Sequence, residues 1–435
     1  MKKILIISIV FTTVIFAQEK PLSLEESLQI GLKNSKEIKI AESKVIGSEE
    51  KITEIGSQMF PKLTLGAGYT NLNMIEPETF GLVPGYPVQI KNPFYSYGLN
   101  LSLQAPIFTG FQLSSLKGAA EFNNNAVQND LQNTINQKAL GIQTAYWNLY
   151  KAEKSVELIL QSLSSLQQKL KDTEQFLENG LVTKNDLLKL KVQVSNAELK
   201  LIDAKNKQEV ARALLNKTIG YPLNEQTKIE TDVMIDTISG YTYDELLSEA
   251  LIYRNELKSL GFRIDAGEES ITAANSGWWP KLYAVGSYYY YNINAETFNI
   301  SDQNLQIWYL GLSLSWDLWD WGYTSSKSTQ AEQEVLQIRE TMKLLKEQIE
   351  LEVYNNYLSL LSEKEKIMIG NLAVESAEEN YRITEDKYNN QLATSTDLII
   401  AQTELLDAKT QLAISIADYE LATTRLDMAV GRRVY

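Results

Sequence analysis

Two short segments place a threonine three residues ahead of an aspartate: Thr183-Lys184-Asn185-Asp186 and Thr394-Ser395-Thr396-Asp397. Both have the form of a capping box, in which hydroxyl and carboxylate satisfy amides of a helix's first turn. A carboxylate pair could also serve as acid and base, but only from facing elements. Here the acids fall mostly on helix faces, where solvated charge is the default. The usual catalytic tools are missing: among 435 residues there is no Cys and no His. That removes thiolate nucleophiles, imidazole bases, disulfides, zinc fingers and His-ligated metals. No Walker, Rossmann or metal-ligand spacing occurs. With 55 Asp and Glu against 41 Lys and Arg, the formal charge is −14, the wrong sign for displacing counterions from nucleic-acid phosphate. The expectation is no enzyme, no cofactor and no nucleic-acid partner.

The elements that carry these segments come in duplicate. Met1-Lys2-Lys3, the apolar run Ile4–Phe16 and Ala17 before a polar stretch read as a secretory signal peptide over 1–17. Beyond it, Ser23–Leu65 aligns without gaps onto Thr242–Ala284, with Glu26 on Glu245, Ile52-Thr53 on Ile271-Thr272 and Pro61-Lys62-Leu63 on Pro280-Lys281-Leu282. A second block repeats later, with Leu181 on Leu392, Asp186-Leu187 on Asp397-Leu398 and Gly220 on Gly431. The expected layout is a first repeat over 18–220, a linker over 221–241, a second repeat over 242–431 and a short tail over 432–435. Each repeat reads as helix, strand, strand, long helix, helix. Ser23-x-x-Glu26 and Thr242-x-x-Glu245 cap the opening helices, and Pro61 and Pro280 end them.

After each proline the period changes to two. Strands are expected at about 62–71, 94–106, 281–292 and 305–317. Leu63, Leu65, Ala67 and Tyr69 alternate with Thr64, Gly66, Gly68 and Thr70; Trp308, Leu310, Leu312 and Leu314 alternate with Tyr309, Gly311 and Ser313. An outer-membrane barrel strand has this pattern, and so has a soluble sheet with one wet face. Tyr283–Tyr291 is ambiguous, because aromatics occupy both of its faces. Trp278, Trp279, Trp316, Trp319 and Trp321 gather where strands meet helices, while Tyr288 and Tyr290 lie with Phe94 and Tyr95 toward the other end. Two aromatic clusters a strand length apart resemble girdles at the two membrane–water interfaces. A base-stacking surface is the rival use, disfavoured by the acidic charge.

The long helices are expected over 110–179 and 322–390, followed by helices over 183–219 and 394–430. Val156, Ile159, Leu163, Leu166 and Leu170 step as a coiled-coil seam. Each long run of close to 70 residues spans roughly 100 Å, so the two shorter helices of a repeat are expected to stack end to end along it. Two repeats supply four strands, whereas bacterial barrels need at least about eight. An open edge leaves unpaired amides in lipid, so the chain must associate, as a dimer or a trimer, with its helices extending the ring as a tube.

These features together resemble the TolC family of outer-membrane efflux proteins. The resemblance rests on the duplicated unit, on Ser-x-x-x-Pro-Lys-Leu before each first strand, and on the turn segments Gly180–Leu187 and Gln391–Leu398. It implies a mixed α and transmembrane β fold: four barrel strands per chain and a long coiled α-helical hairpin barrel, assembled as a homotrimer. It further implies a passive duct in the outer membrane, extending into the periplasm, for a tripartite efflux or type I secretion system. The implied partners are outer-membrane lipid, a periplasmic adaptor (membrane fusion) protein and an inner-membrane pump or ABC exporter. By match to the family's helix turns, Asp186 and Asp397 would supply acidic rings at the periplasmic mouth, and Tyr388 the aromatic latch. Ala393 stands where the family has an Arg latch, Ile400 where a second Asp would follow, and Gln391 replaces a turn glycine. Tyr388 could instead pack in a helix seam. The competing class is a periplasmic or surface coiled-coil protein, which leaves the paired period-two strands without a purpose.

Overall fold

The computed structural model describes residues 21–72, 79–80, 88–89, 94–231, 240, 242–295 and 300–435. The expected signal peptide lies outside them, as do parts of the two strand-connecting loops and of the 221–241 link. The first repeat gives α1 (Leu24–Asn34), α2 (Lys36–Ser57), β1 (Lys62–Leu72), the short β2 (Thr79–Phe80) and β3 (Val88–Gln89), β4 (Phe94–Phe108), α3 (Gln112–Glu178) and α4 (Lys184–Ile219). The second gives α5 (Tyr243–Tyr253), α6 (Asn255–Ala274), a 3-10 turn at Asn275–Trp278, β5 (Lys281–Ala295), β6 (Ile300–Ser315), α7 (Tyr323–Asn389) and α8 (Ser395–Ala429).

Two compact units form, and each draws on both repeats. A strand unit holds Ile40–Asn133 and Asn255–Gln348; a hairpin unit holds the described residues up to Lys39, with Thr134–Arg254 and Ile349–Tyr435.

In the strand unit the described residues make one antiparallel sheet of order β1-β4-β5-β6, while β2 pairs with β3 apart from it. Leu65 pairs with Leu101, Leu101 with Tyr288 and Tyr288 with Trp308, so one face is an unbroken apolar row. Thr64, Ser102, Ser287 and Tyr309 form the corresponding row on the opposite face. The ladder between β4 and β5 slips at Pro106, which has no amide hydrogen to give it. Ser48 donates to Asn124 across 2.7 Å, and Arg263 holds Asp130 at 2.7 Å, tying the flanking helices together.

In the hairpin unit the core sets Leu28, Ile142, Trp147, Leu149, Leu215, Ile219, Ala417 and Leu421 against one another. Gly31 allows a close approach there: a Cβ would stand 2.6 Å from Cδ1 of Ile142, which would have to shift. Three bonds show that α3 and α8 run antiparallel: Thr424 to Gln143 (2.6 Å), Lys151 to Asp418 (2.9 Å) and Gln402 to the Ser162 carbonyl (2.9 Å). Leu163 and Leu166 of the expected seam pack with Leu190, Val194 and Ala197 of α4, and Leu170 lies against them.

Each opening helix comes in two pieces. Ser23 and Glu26 form the expected capping box of α1, but the chain turns extended at Ser35, whose hydroxyl then takes the Ile38 amide. Its repeat equivalent Arg254 is extended too (φ −58°, ψ 123°), because its guanidinium is drawn inward to Glu352 (2.8 Å) and the Ala429 carbonyl (3.0 Å). The residues after α8 are also held: Gln143 donates to the Val434 carbonyl at 2.7 Å, and Arg432 grips Glu249 and Asp427.

Candidate functional site: the hairpin turns and the sheet face

The two helix turns of the hairpin unit have the same backbone design. At the first, the amides of Gly180 and Leu181 return to the carbonyls of Leu177 and Phe176; at the second, those of Gln391 and Leu392 return to Tyr388 and Lys387. This Schellman pattern needs a left-handed residue, supplied by Gly180 (φ 74°) and by Gln391 (φ 62°). The next helix then starts with a box. The Thr183 hydroxyl accepts the Asp186 amide at 3.2 Å, and Asp186 Oδ2 accepts the Thr183 amide at 3.1 Å and its hydroxyl at 2.6 Å. Thr394 and Asp397 repeat the arrangement, at 3.2, 2.9 and 2.7 Å.

The two aspartates differ in what else they do. Asp397 is exposed and, among the described residues, bonded only within its own turn, whereas Asp186 Oδ1 accepts the Ser395 hydroxyl from the other turn at 2.8 Å. Lys189 reaches Thr396 at 3.0 Å beside it, so α4 and α8 are joined at their starts. The Thr183 hydroxyl holds the Asp186 carboxyl below its ordinary range, with Ser395 adding to the effect, and Thr394 does the same for Asp397.

Tyr388 is buried against Phe176, its hydroxyl 2.6 Å from that of Thr173. Thr173 in turn donates to the Lys169 carbonyl at 2.7 Å, so the phenol hydroxyl donates to Thr173. Burial raises the phenol's pKa and keeps that proton in place. This bond is one of three in a row: Ser165 with Tyr381 (2.9 Å), Lys169 with Glu385 (2.9 Å) and Thr173 with Tyr388. The numbers rise together on both helices, so α3 and α7 run parallel here, fastened once per turn. The sequence alone assigns no role to Ser165, Lys169 and Thr173, although polar residues at four-residue spacing beside an apolar seam mark them; Ser395 carries no such local mark.

On the sheet, Leu310 is 74% exposed, Leu63 64% and Leu99 48%, all on the apolar face. Tyr288 and Tyr290 share that face by register with Leu101 and Leu99. Tyr289, Tyr291 and Tyr309 stack on the other, where Tyr291 covers Gly98. Trp278, Trp279, Trp316, Trp319 and Trp321 are all exposed near the strand ends. Trp316 donates to the Trp278 carbonyl at 3.3 Å, and Trp319 meets Trp321 edge to face at 5.8 Å. Phe111 joins the group, packed edge-on against Trp279.

The chain that folds into this sheet with one exposed apolar face and these paired helical hairpins matches the family described as outer membrane efflux protein over residues 28–221 and 246–432. The chain belongs to that family. It is therefore an outer-membrane channel of the efflux and secretion class, not an enzyme. Outer membrane protein TolC of Vibrio cholerae is 24% identical over 394 residues, covering 88% of this chain and 84% of the relative. The alkaline protease secretion protein AprF of Pseudomonas aeruginosa is 23% identical over 349 residues, 77% of this chain and 70% of its own length. Among solved structures, the CusC channel superposes with a TM-score of 0.79 at 13% identity, covering 94% of this chain and 92% of that one. That efflux-protein fold, mostly helical with a small antiparallel sheet, is the one described above.

Proposed function

We propose that three copies of this chain join their four-stranded sheets into a twelve-stranded barrel in the outer membrane, with their helices forming a periplasmic tube. The two repeats over 18–220 and 242–431, joined by the 221–241 linker, would supply two strands and one helical hairpin each, after removal of a signal peptide over 1–17. The duct is passive. A periplasmic adaptor and an inner-membrane pump or ABC exporter supply the energy, in a tripartite efflux or type I secretion system. The observation that carries this reading is the open sheet. Its apolar face is exposed from Leu63 on β1 to Leu314 on β6, and among the described residues the outer edges of β1 and β6 have no partner. Unpaired amides cannot face lipid, and the order β1-β4-β5-β6 presents edges of opposite direction, so copies can add antiparallel until the ring closes. Trp278, Trp279, Trp316, Trp319 and Trp321 serve as one membrane-interface girdle, with Tyr288 and Tyr290 in the other.

At the mouth, Asp186 and Asp397 from three copies make acidic rings, and Tyr388 is the latch that keeps α7 on α3. Light scattering of the detergent-solubilised outer-membrane fraction should give a particle of three chains. In planar bilayers Asp397→Asn should weaken block by a trivalent cation several-fold. A soluble periplasmic monomer would end this reading.

A further inference from the structure

The chain is acidic, yet the polar face of its sheet is not. Lys62 opens β1 and Lys281 opens β5, each in the repeated Pro-Lys-Leu segment. Lys62 pairs with Gln104 and Lys281 with Ser315, and alternation puts both ammonium groups on the face opposite Leu63 and Leu282. Neither is ion-paired among the described residues. The polar-face positions of β1, β4, β5 and β6 contain no Asp or Glu among the described residues. Lysines that served phospholipid headgroups would stand on the apolar face. These stand on the other one.

Lys62 also lines a cavity of about 500 Å³, with Gln104, Gln58, Ser57, Tyr283 and Phe60 around it. The volume is that of a small-molecule site, which runs from about 300 to 1,000 Å³. Its polar groups are one cation, two amides and two hydroxyls, Tyr283 bearing one of them, and Phe60, Leu113 and two prolines supply apolar wall. A cation with neutral hydrogen-bond donors beside apolar walls is complementary to an acid group carried on an apolar body.

We propose that the foot of the sheet's polar face is a station for amphiphilic organic anions: the Lys62 cavity takes the carboxylate or sulfonate and apolar body, and Lys281 adds a second positive charge to the same wall. This rests on the reading that the polar face lines the channel, where three copies would set six lysines in a belt. In a chain of net negative charge such a belt is a zone of opposite sign, where anions can dwell.

The test uses the full-length protein in lipid nanodiscs and in planar bilayers, with 8-anilinonaphthalene-1-sulfonate as probe and empty nanodiscs subtracted. Lys62→Gln should weaken probe binding about tenfold, as loss of a charge-assisted bond does, while Lys62→Arg keeps it. In a KCl gradient, the Lys62→Gln, Lys281→Gln double variant should shift the reversal potential toward stronger cation preference. Pores of normal conductance with unchanged reversal potential and unchanged probe affinity overturn the proposal. If the wild-type protein forms no pore, the channel reading fails, and the nanodisc titration still decides the cavity. Lys62-dependent binding upholds it, and Lys62-independent binding overturns it. Circular dichroism and particle mass must match wild type for each variant.

Discussion

Asp186 serves two turns at once. One oxygen closes its own capping box and the other takes the Ser395 hydroxyl, so the start of α4 and the start of α8 are read by a single carboxylate. Thr183→Ala should therefore cost about 1 kcal/mol, the usual worth of a cap, measured by denaturant unfolding. The pH dependence has a definite sign. Because hydrogen bonds lower the folded pKa of Asp186, its contribution is full above the ordinary carboxylate range and is lost as pH falls through the lowered value. Wild type and Asp186→Asn should differ in proteolytic cleavage at the turns at neutral pH and converge in strong acid. Tyr388→Phe tests the parallel fastening of α3 and α7. It removes one buried hydroxyl while Thr173 keeps its bond to Lys169, so the loss should be about 1 kcal/mol, with more frequent opening in single-channel records. The caps at Thr183 and Thr394 were legible in the sequence because all their atoms lie within four residues. Ser395 was not, since its partner is 209 residues away.

Among elements, the breaks at Ser35 and Arg254 divide what looked like continuous helices. Neither site has a glycine or proline to announce it, and arginine is a good helix former. The cause is remote: Arg254 is held by Glu352 and the Ala429 carbonyl, which only the fold brings near. The strands were easier, because period two and a flanking proline are local signals. β6 nonetheless begins at Ile300, ahead of the expected 305, and ends at Ser315. The faces of β5 stayed open in the sequence, with tyrosine at 288, 289, 290 and 291 in succession. Register decides them, because Tyr291 fills the space that Gly98 leaves and Tyr288 falls in the leucine row. One strained position is open to improvement. Gln391 occupies a left-handed conformation that costs a side chain about 1 kcal/mol, so Gln391→Gly should hold or raise stability, whereas Gly180→Gln at the matching turn should lower it. Paired melting curves of the two variants check the sign.

On the scale of the molecule, the two units cut across the two repeats. The sheet takes β1 and β4 from one repeat and β5 and β6 from the other, so neither repeat completes it alone. Expressing residues 18–220 or 242–431 separately should yield no stable outer-membrane product, as read by membrane fractionation, and co-expression tests whether the halves reassemble. A charge in the apolar row tests its orientation. Leu312→Lys should cost about 2–4 kcal/mol if that face meets lipid and should deplete the protein from the outer-membrane fraction. The free edges of the sheet have a genetic corollary. With β1 of one copy offered to β6 of the next, every copy in a closed ring is both donor and recipient of a neighbour's strand. A chain that cannot fold is simply absent and leaves its sister allele unharmed. A chain that folds but has one spoiled edge enters the ring and leaves a gap in it, and an allele of that kind should be dominant over the wild type.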